Sequence, residues 1–319
     1  MMAAGAQVGE GRGMVEWPTL LLVLGVYAAW IALVWFHDAI ALPVWLVAAV
    51  LTSALWGSVQ HELIHGHPTR SRRLNAALGT PPIWLWLPYD RYRQSHLAHH
   101  RDERLTDPLD DPESRYWTAE GWRDLTPIGR ALVGAQGTLA GRLLIGPFWV
   151  LWAFGRAEAL LLRAGNTEAW RIWAWHALWV ALLLGFAIGL AGMPVWQYLV
   201  SFAWGGTAVA LIRSFAEHRA HEVTARRTAV VENSRLFGFL FLNNNLHAAH
   251  HRWPGTPWYR LPALYRRHRE ELLSANGGLV YDGYGDLFRR FLLRRHDQPV
   301  HPLGRVPRPG ADHTNGRID

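Results

Sequence analysis

IWAWHALWVALLLGFAIGLAGMPVWQYLVSFAWGGTAVALI, residues 172–212, runs for 41 residues without an aspartate, glutamate or arginine. The chain contains no lysine, so this run holds no formal charge. As a single helix it would be about 60 Å long, twice the hydrocarbon thickness of a bilayer. Gly192-Met193-Pro194 interrupts it, because glycine and proline end a helical run. It therefore reads as a tight hairpin of two membrane spans, about 172–191 and 194–212.

The N-terminal part repeats the plan. WPTLLLVLGVYAAWIALVWF lies between Glu16 and Asp38, and AIALPVWLVAAVLTSALWGSVQ between Asp38 and Glu62. These give spans at about 18–36 and 41–60. A cleaved signal peptide is a poor alternative for the first, since no small-residue cleavage site precedes the second apolar run. Two even hairpins place the N-terminus, residues 61–171 and residues 213–319 on one side. All 32 basic residues are arginine: one precedes the first span, 14 run from Arg70 to Arg171 and 17 from Arg213 to Arg317. Neither hairpin turn contains any, so the positive-inside tendency makes that side the cytoplasm. The net charge of +7 thus reports topology and needs no nucleic-acid partner.

The expected fold is all-α and integral to the membrane: four transmembrane helices in two hairpins with a cytosolic helical cap. One domain covers 1–295, with 61–171 and 213–295 in the cap. Leu74–Tyr89 and Leu143–Gly155 are apolar but too short to span, and read as re-entrant or interfacial pieces. Residues 296–319 are rich in Pro, Gly, Arg and Asp and read as a disordered tail.

The absence of cysteine excludes a disulfide scaffold, a thiolate zinc site and a cysteine-ligated iron–sulfur cluster. Histidine is abundant instead. His61 and His65 lie in HELIH, directly after the second span; His96, His99 and His100 lie in HLAHH. His218 lies in RSFAEHRAH, with His221 three residues on, and His247, His250 and His251 lie in HAAHH. Helical spacing at i, i+3 and i+4 projects each cluster in a single direction. Nine or ten imidazoles cannot fit around one ion; they would serve two, with room for water, oxygen or substrate. His37, His67, His176, His268, His296, His301 and His313 stand alone and read as ordinary polar residues.

HELIH also fits H-E-x-x-H, in which Glu62 would be the base of a zinc peptidase. That reading leaves both H-x-x-H-H boxes without a task. Redox iron explains more, because an all-imidazole iron pair can activate dioxygen while carboxylates support the rings from behind. A metal-binding or transport protein would place its ligands at the membrane midplane, whereas these lie outside the spans.

The order H-x-x-x-H, H-x-x-H-H and, after a second hairpin, H-x-x-H-H resembles the membrane fatty acid desaturase family, bacterial type. HGHPTRSRRLNAALG, YRQSHLAHHRDERLTDPLDDP and NNNLHAAHHRWPGTPWYRLP resemble the stretches around its three boxes. RSFAEHR is similar to the extra histidine-bearing helix of bacterial members, and the resemblance covers about residues 20–270. It implies two iron ions as cofactor, dioxygen as co-substrate, and His61, His65, His96, His99, His100, His218, His247, His250 and His251 as ligands. Glu62, Asp107 and Glu217 are placed for hydrogen bonds to imidazole N–H groups. Ser214 is a candidate to complete the ligand set, His221 is a spare imidazole, and one of Asn243, Asn244 and Asn245 is expected to cap the helix of the third box.

The implied reaction is desaturation of a lipid-linked fatty acyl chain. The alternative within the superfamily is hydroxylation or ketolation of a carotenoid, sphingolipid or alkane. No cysteine is present for a ferredoxin cluster and no cytochrome b5-like segment is apparent, which implies a separate donor such as a ferredoxin with its reductase. The expected location is the bacterial inner membrane, with both termini and the metal site cytoplasmic.

Overall fold

A computed structural model describes residues 15–303, and four helices in it are long and apolar enough to cross a membrane. They are α1 (Trp17–Trp35), α2 (Leu42–Ile64), α9 (Thr167–Leu190) and α10 (Val195–Glu217). Pro18 and Pro43 sit in the first turns of α1 and α2, where a missing N–H costs nothing. The turn between α9 and α10 uses Gly192 at φ +71°, a backbone conformation that glycine adopts without strain. Each helix buries one side and leaves another apolar side outward, as a lipid-facing helix must. Val23, Val26 and Trp30 of α1 pack with Trp45, Trp56 and Val59 of α2 and with Tyr198 and Phe202 of α10. Leu21, Leu24, Val44, Val47, Leu178 and Leu182 face outward.

α2 and α10 approach closely at small residues. A Cβ added to Gly206 would lie 2.1 Å from Ser53 Oγ, and one added to Gly205 would lie 2.6 Å from Val50 Cγ2. Such contact without side chains is how membrane helices gain packing energy. The stretch Leu74–Tyr89, expected as a re-entrant or interfacial piece, packs against α2, α9 and α10. After α3 (Arg72–Gly79) it brings Trp84 over Gly57, donates Trp84 Nε1 to Ser53 O at 3.0 Å, and offers Ile83 O to Tyr198 Oη at 3.0 Å. His176 of α9 is bonded to Leu85 O of the same stretch at 2.8 Å.

Both site-bearing helices outrun their apolar stretches. α2 continues through HELI to Ile64 and α10 through RSFAE to Glu217, so the first histidine box and the base of His218 grow from membrane spans. The cap adds α4 (Tyr89–His99), the short helices α5 (Ala119–Asp124), α6 (Pro127–Gln136) and α7 (Leu139–Leu144), and α8 (Gly146–Arg163). α8 is longer than the thirteen-residue apolar stretch and turns Phe148, Leu151, Trp152 and Leu160 outward, which suits a helix lying at headgroup level. The second half supplies α11 (Arg235–Leu240), α12 (His247–Arg252), α13 (Leu261–Ala275) and α14 (Gly283–Phe291). The described chain is mostly helical, as expected; its two-stranded sheet is a short parallel pairing of β1 (Val230–Val231) with β2 (Val280–Tyr281).

The expected tail needs correction. Residues 296–303 are packed, with His301 buried and His296 N bonded to Gly137 O at 2.8 Å. Its proline-rich composition suggested disorder, but buried polar partners hold it. Residues 304–319, and His313 with them, lie outside the described residues.

Candidate metal centre

The ends of α2, α4, α10 and α12 meet in the cap, and all nine expected ligands come together there in two groups. His61, His65, His96, His100 and His250 form one; His99, His218, His247 and His251 form the other. Within each group, one ring nitrogen from every histidine lies within 4.8 Å of the rest. The single direction expected for each cluster holds for His61 and His65 and is corrected for the two H-x-x-H-H boxes. In α4, His96 and His100, four apart, turn to the first group while His99 turns to the second. In α12, His247 and His251, four apart, serve the second group and His250 the first. Residues i and i+4 share a helix face and the one between them diverges, so one H-x-x-H-H box feeds two centres. His100 and His251 stack at 4.3 Å between ring centres and join the groups.

Hydrogen bonds on the outer side of the rings decide which nitrogens face inward. His99 Nδ1 lies 2.9 Å from Asp111 Oδ1 and His96 Nδ1 lies 3.0 Å from Glu113 Oε1. His247 Nδ1 lies 3.2 Å from Asn244 Oδ1 and 3.3 Å from Glu217 Oε1, and His218 Nδ1 lies 3.3 Å from Arg227 O. Each partner is an acceptor, so Nδ1 carries the hydrogen and, in the neutral ring, Nε2 keeps its lone pair. Those Nε2 atoms converge. His218 Nε2 is 2.9 Å from His99 Nε2 and 2.9 Å from His247 Nε2. In the first group His96 Nε2 is 3.0 Å from His65 Nε2 and 3.1 Å from His100 Nε2, which is itself 3.1 Å from His250 Nε2. Lone pairs crowded at this distance repel unless a cation lies among them. The donor set fits a nitrogen-preferring transition metal at each group.

Electrostatics points the same way. Burial holds His65, His96, His100, His218, His247 and His250 below the usual histidine range, and neighbouring imidazoles push in the same direction. Neutral imidazole is the form that binds a metal. His99 differs. Burial pushes it down, but the Glu113 and Asp111 carboxylates outweigh that and carry it up to about 9.

The other expected site residues divide. Glu217 reaches the centre, between His247 and Arg213 Nε, 3.0 Å away. Glu62 Oε2 accepts from Trp258 N at 3.1 Å, which ties the first box to the loop after the third. Asp107 accepts from Leu109 N at 2.8 Å and Asp110 N at 3.0 Å, so it shapes the turn after the second box. Ser214 Oγ donates to Leu211 O at 3.3 Å, and His221, whose Nδ1 accepts from Val223 N at 2.9 Å, stands outside both histidine groups. Leu246 stands at the cap position of α12 and no asparagine side chain caps it. Asn244 instead links the groups, its Oδ1 facing His247 and its Nδ2 lying 3.4 Å from His61 Nε2. Asp111 and Glu113 are site residues that sequence reasoning missed, and Asn244 was expected there only as a cap. The signal for the two acids was the run DPLDDPE at 107–113, where spacing alone did not say which would face a ring.

The peptidase reading asks for Glu62 facing a metal held by two HELIH rings. Here those rings share their group with three further histidines. A beta-carotene ketolase from Paracoccus sp. (strain N81106 / MBIC 01143) is 27% identical over 267 residues, covering 77% of this chain and 91% of that protein. The family model described as fatty acid desaturase matches residues 39–283, a range that contains both histidine groups. By that match the chain belongs to the fatty acid desaturase family.

Proposed function

We propose that the protein is a dioxygen-dependent membrane oxidoreductase that introduces a double bond into a fatty acyl chain. His61, His65, His96, His100 and His250 would hold one iron ion, and His99, His218, His247 and His251 the other. When bound, such an iron pair supplies the means to activate dioxygen and to break an unactivated C–H bond. The observation that carries the reading is the pair of converging imidazole groups at the ends of α2 and α10, where spans from the bilayer enter the cap. The residues of the chain act by placement. Asp111, Glu113 and Glu217 fix ring orientation from behind, and the apolar spans keep water from a substrate that arrives from lipid.

A second reading has support of its own. The ketolase relative favours oxygen insertion into a carotenoid at the same site. Electrons would come from a separate donor of the ferredoxin type with its reductase, docked on the arginine-rich face of the cap, which we place in the cytoplasm. Donor-dependent turnover should then fall as salt rises; turnover indifferent to salt would remove the docking surface.

The deciding measurement is metal content of the purified protein, followed by lipid and pigment analysis of cells that express it. About two irons per chain with a new unsaturated acyl species supports desaturation. Altered pigments with unchanged acyl chains transfer the substrate to a carotenoid. Zinc without iron overturns both.

A further inference from the structure

The segment after Arg295 lies across the cap as a strap. Trp117 N donates to Pro299 O at 2.9 Å, and His301 N donates back to Trp117 O at 2.9 Å. Under the strap a set of side chains closes on Asp297. Its carboxylate accepts from the Arg115 guanidinium and from Tyr116 Oη at 3.0 Å, and its other oxygen lies 3.2 Å from Arg219 Nε. His296 fills the gap, with Nδ1 2.6 Å from Asp297 and Nε2 2.6 Å from Tyr281 Oη. Arg115 then reaches away from the strap. It donates to Phe215 O at 2.5 Å and to His218 O at 2.8 Å.

Those two carbonyls belong to the place where α10 stops. The helix ends at Glu217, and His218 takes an extended conformation, φ −132° and ψ 145°. The last carbonyls of a helix have no partner within it, and a cation there satisfies them and suits the helix dipole. The bend is what turns His218 Nε2 toward His99 and His247. Tyr116 secures its far side, accepting from Ala220 N at 2.9 Å. Arg115 also follows closely on Asp111, whose carboxylate holds His99. One short segment thus grips two rings of the second group, one through its Nδ1 and one through its backbone.

We propose that Asp297 and Arg115 are positioning residues for the second histidine group, with Asp297 anchoring the guanidinium that fixes the bend at His218. The proposal rests on the reading of that group as an ion site. Among the described residues, no hydrogen bond or ring contact joins the strap to a histidine of either group, and its link to the second group runs through Arg115.

The test uses the full-length protein with Asp297→Asn, Asp297→Ala and Asp297→Glu, purified with iron supplied. Iron per chain, the Mössbauer spectrum and the thermal midpoint are measured. Asp297→Asn and Asp297→Ala should weaken iron binding at the second group by about 10–100-fold, as loss of supporting contacts does elsewhere. The total then falls toward one ion per chain, the first group's signal survives, and Asp297→Glu restores part of the loss. Survival of that first signal shows that the chain still folds. If Asp297→Ala keeps both ions and an unchanged spectrum, the strap is only a cover and the proposal fails. Loss of both signals together overturns it too, in favour of a general folding role. An unsubstituted chain that takes up no iron sinks the metal-centre reading itself, a result distinct from these.

Discussion

The two histidine groups sit side by side but are built differently. The first has five rings, and carboxylate support reaches it at His96 through Glu113, 3.0 Å away. The second has four rings, of which His99, His218 and His247 each lean on an acceptor behind them. The first is assembled by number and the second by support. On the proposed reading, a four-ring group would leave an ion more positions for dioxygen or substrate than a five-ring group. The contrast in charge follows. Burial holds His100 well below the usual range, whereas the carboxylates of Glu113 and Asp111 overcome burial at His99.

Four experiments would break or sharpen this contrast. Removing a ring should hit hardest: His250→Ala and His247→Ala should each cost one group its ion and lower turnover by more than about 1,000-fold. Iron analysis of each variant checks it, and retained metal in either would refute that ligand. Removing support comes next. Asp111→Asn should weaken iron binding by about 10–100-fold, and Glu113→Gln by less, because the five-ring group has ligands to spare. Equal losses in a metal titration would erase the contrast. Gly206→Ala should act on both groups alike, since it wedges α10 from α2: α2 contributes His61 and His65 to the first group, and the end of α10 places His218 in the second. A Cβ 2.1 Å from Ser53 Oγ should cost about 1–3 kcal/mol and lower the thermal midpoint in detergent. The smallest effects belong to Ser214→Ala and His221→Ala, which should leave iron content and turnover within about twofold. A clear loss of iron in either would bring that residue back into the site.

The spans were legible in the sequence as charge-free runs of bilayer length, and the histidine boxes as closely spaced imidazoles whose order resembles the family's, which is what singled out the nine rings. The division of each box between two centres was not, since spacing shows that rings share a helix and not what each meets across the gap. Asp107 and Asp111 stand in the same acidic run, and the turn after Arg104 decides that Asp111 reaches His99. Asn244 looked like a cap because it precedes a helix, yet its amide is used between His61 and His247. The strap was misread for a related reason. Its composition is that of a loose tail, and what holds it is Arg115, more than 180 residues earlier in the chain.

The continuity of α2 from lipid into cap also sets a depth. Its 23 residues rise about 34 Å, and His61 stands about 28 Å from its start, near the far edge of a hydrocarbon layer about 30 Å thick. On the proposed reading, the reacting carbon would be brought to the boundary of the bilayer. A mid-chain methylene, which rests deeper among the lipid tails, would be drawn upward before its oxidation. Selection of the carbon becomes a question of how far the chain is lifted, and the walls of that ascent, more than the metal ligands, would set where along the chain the reaction falls.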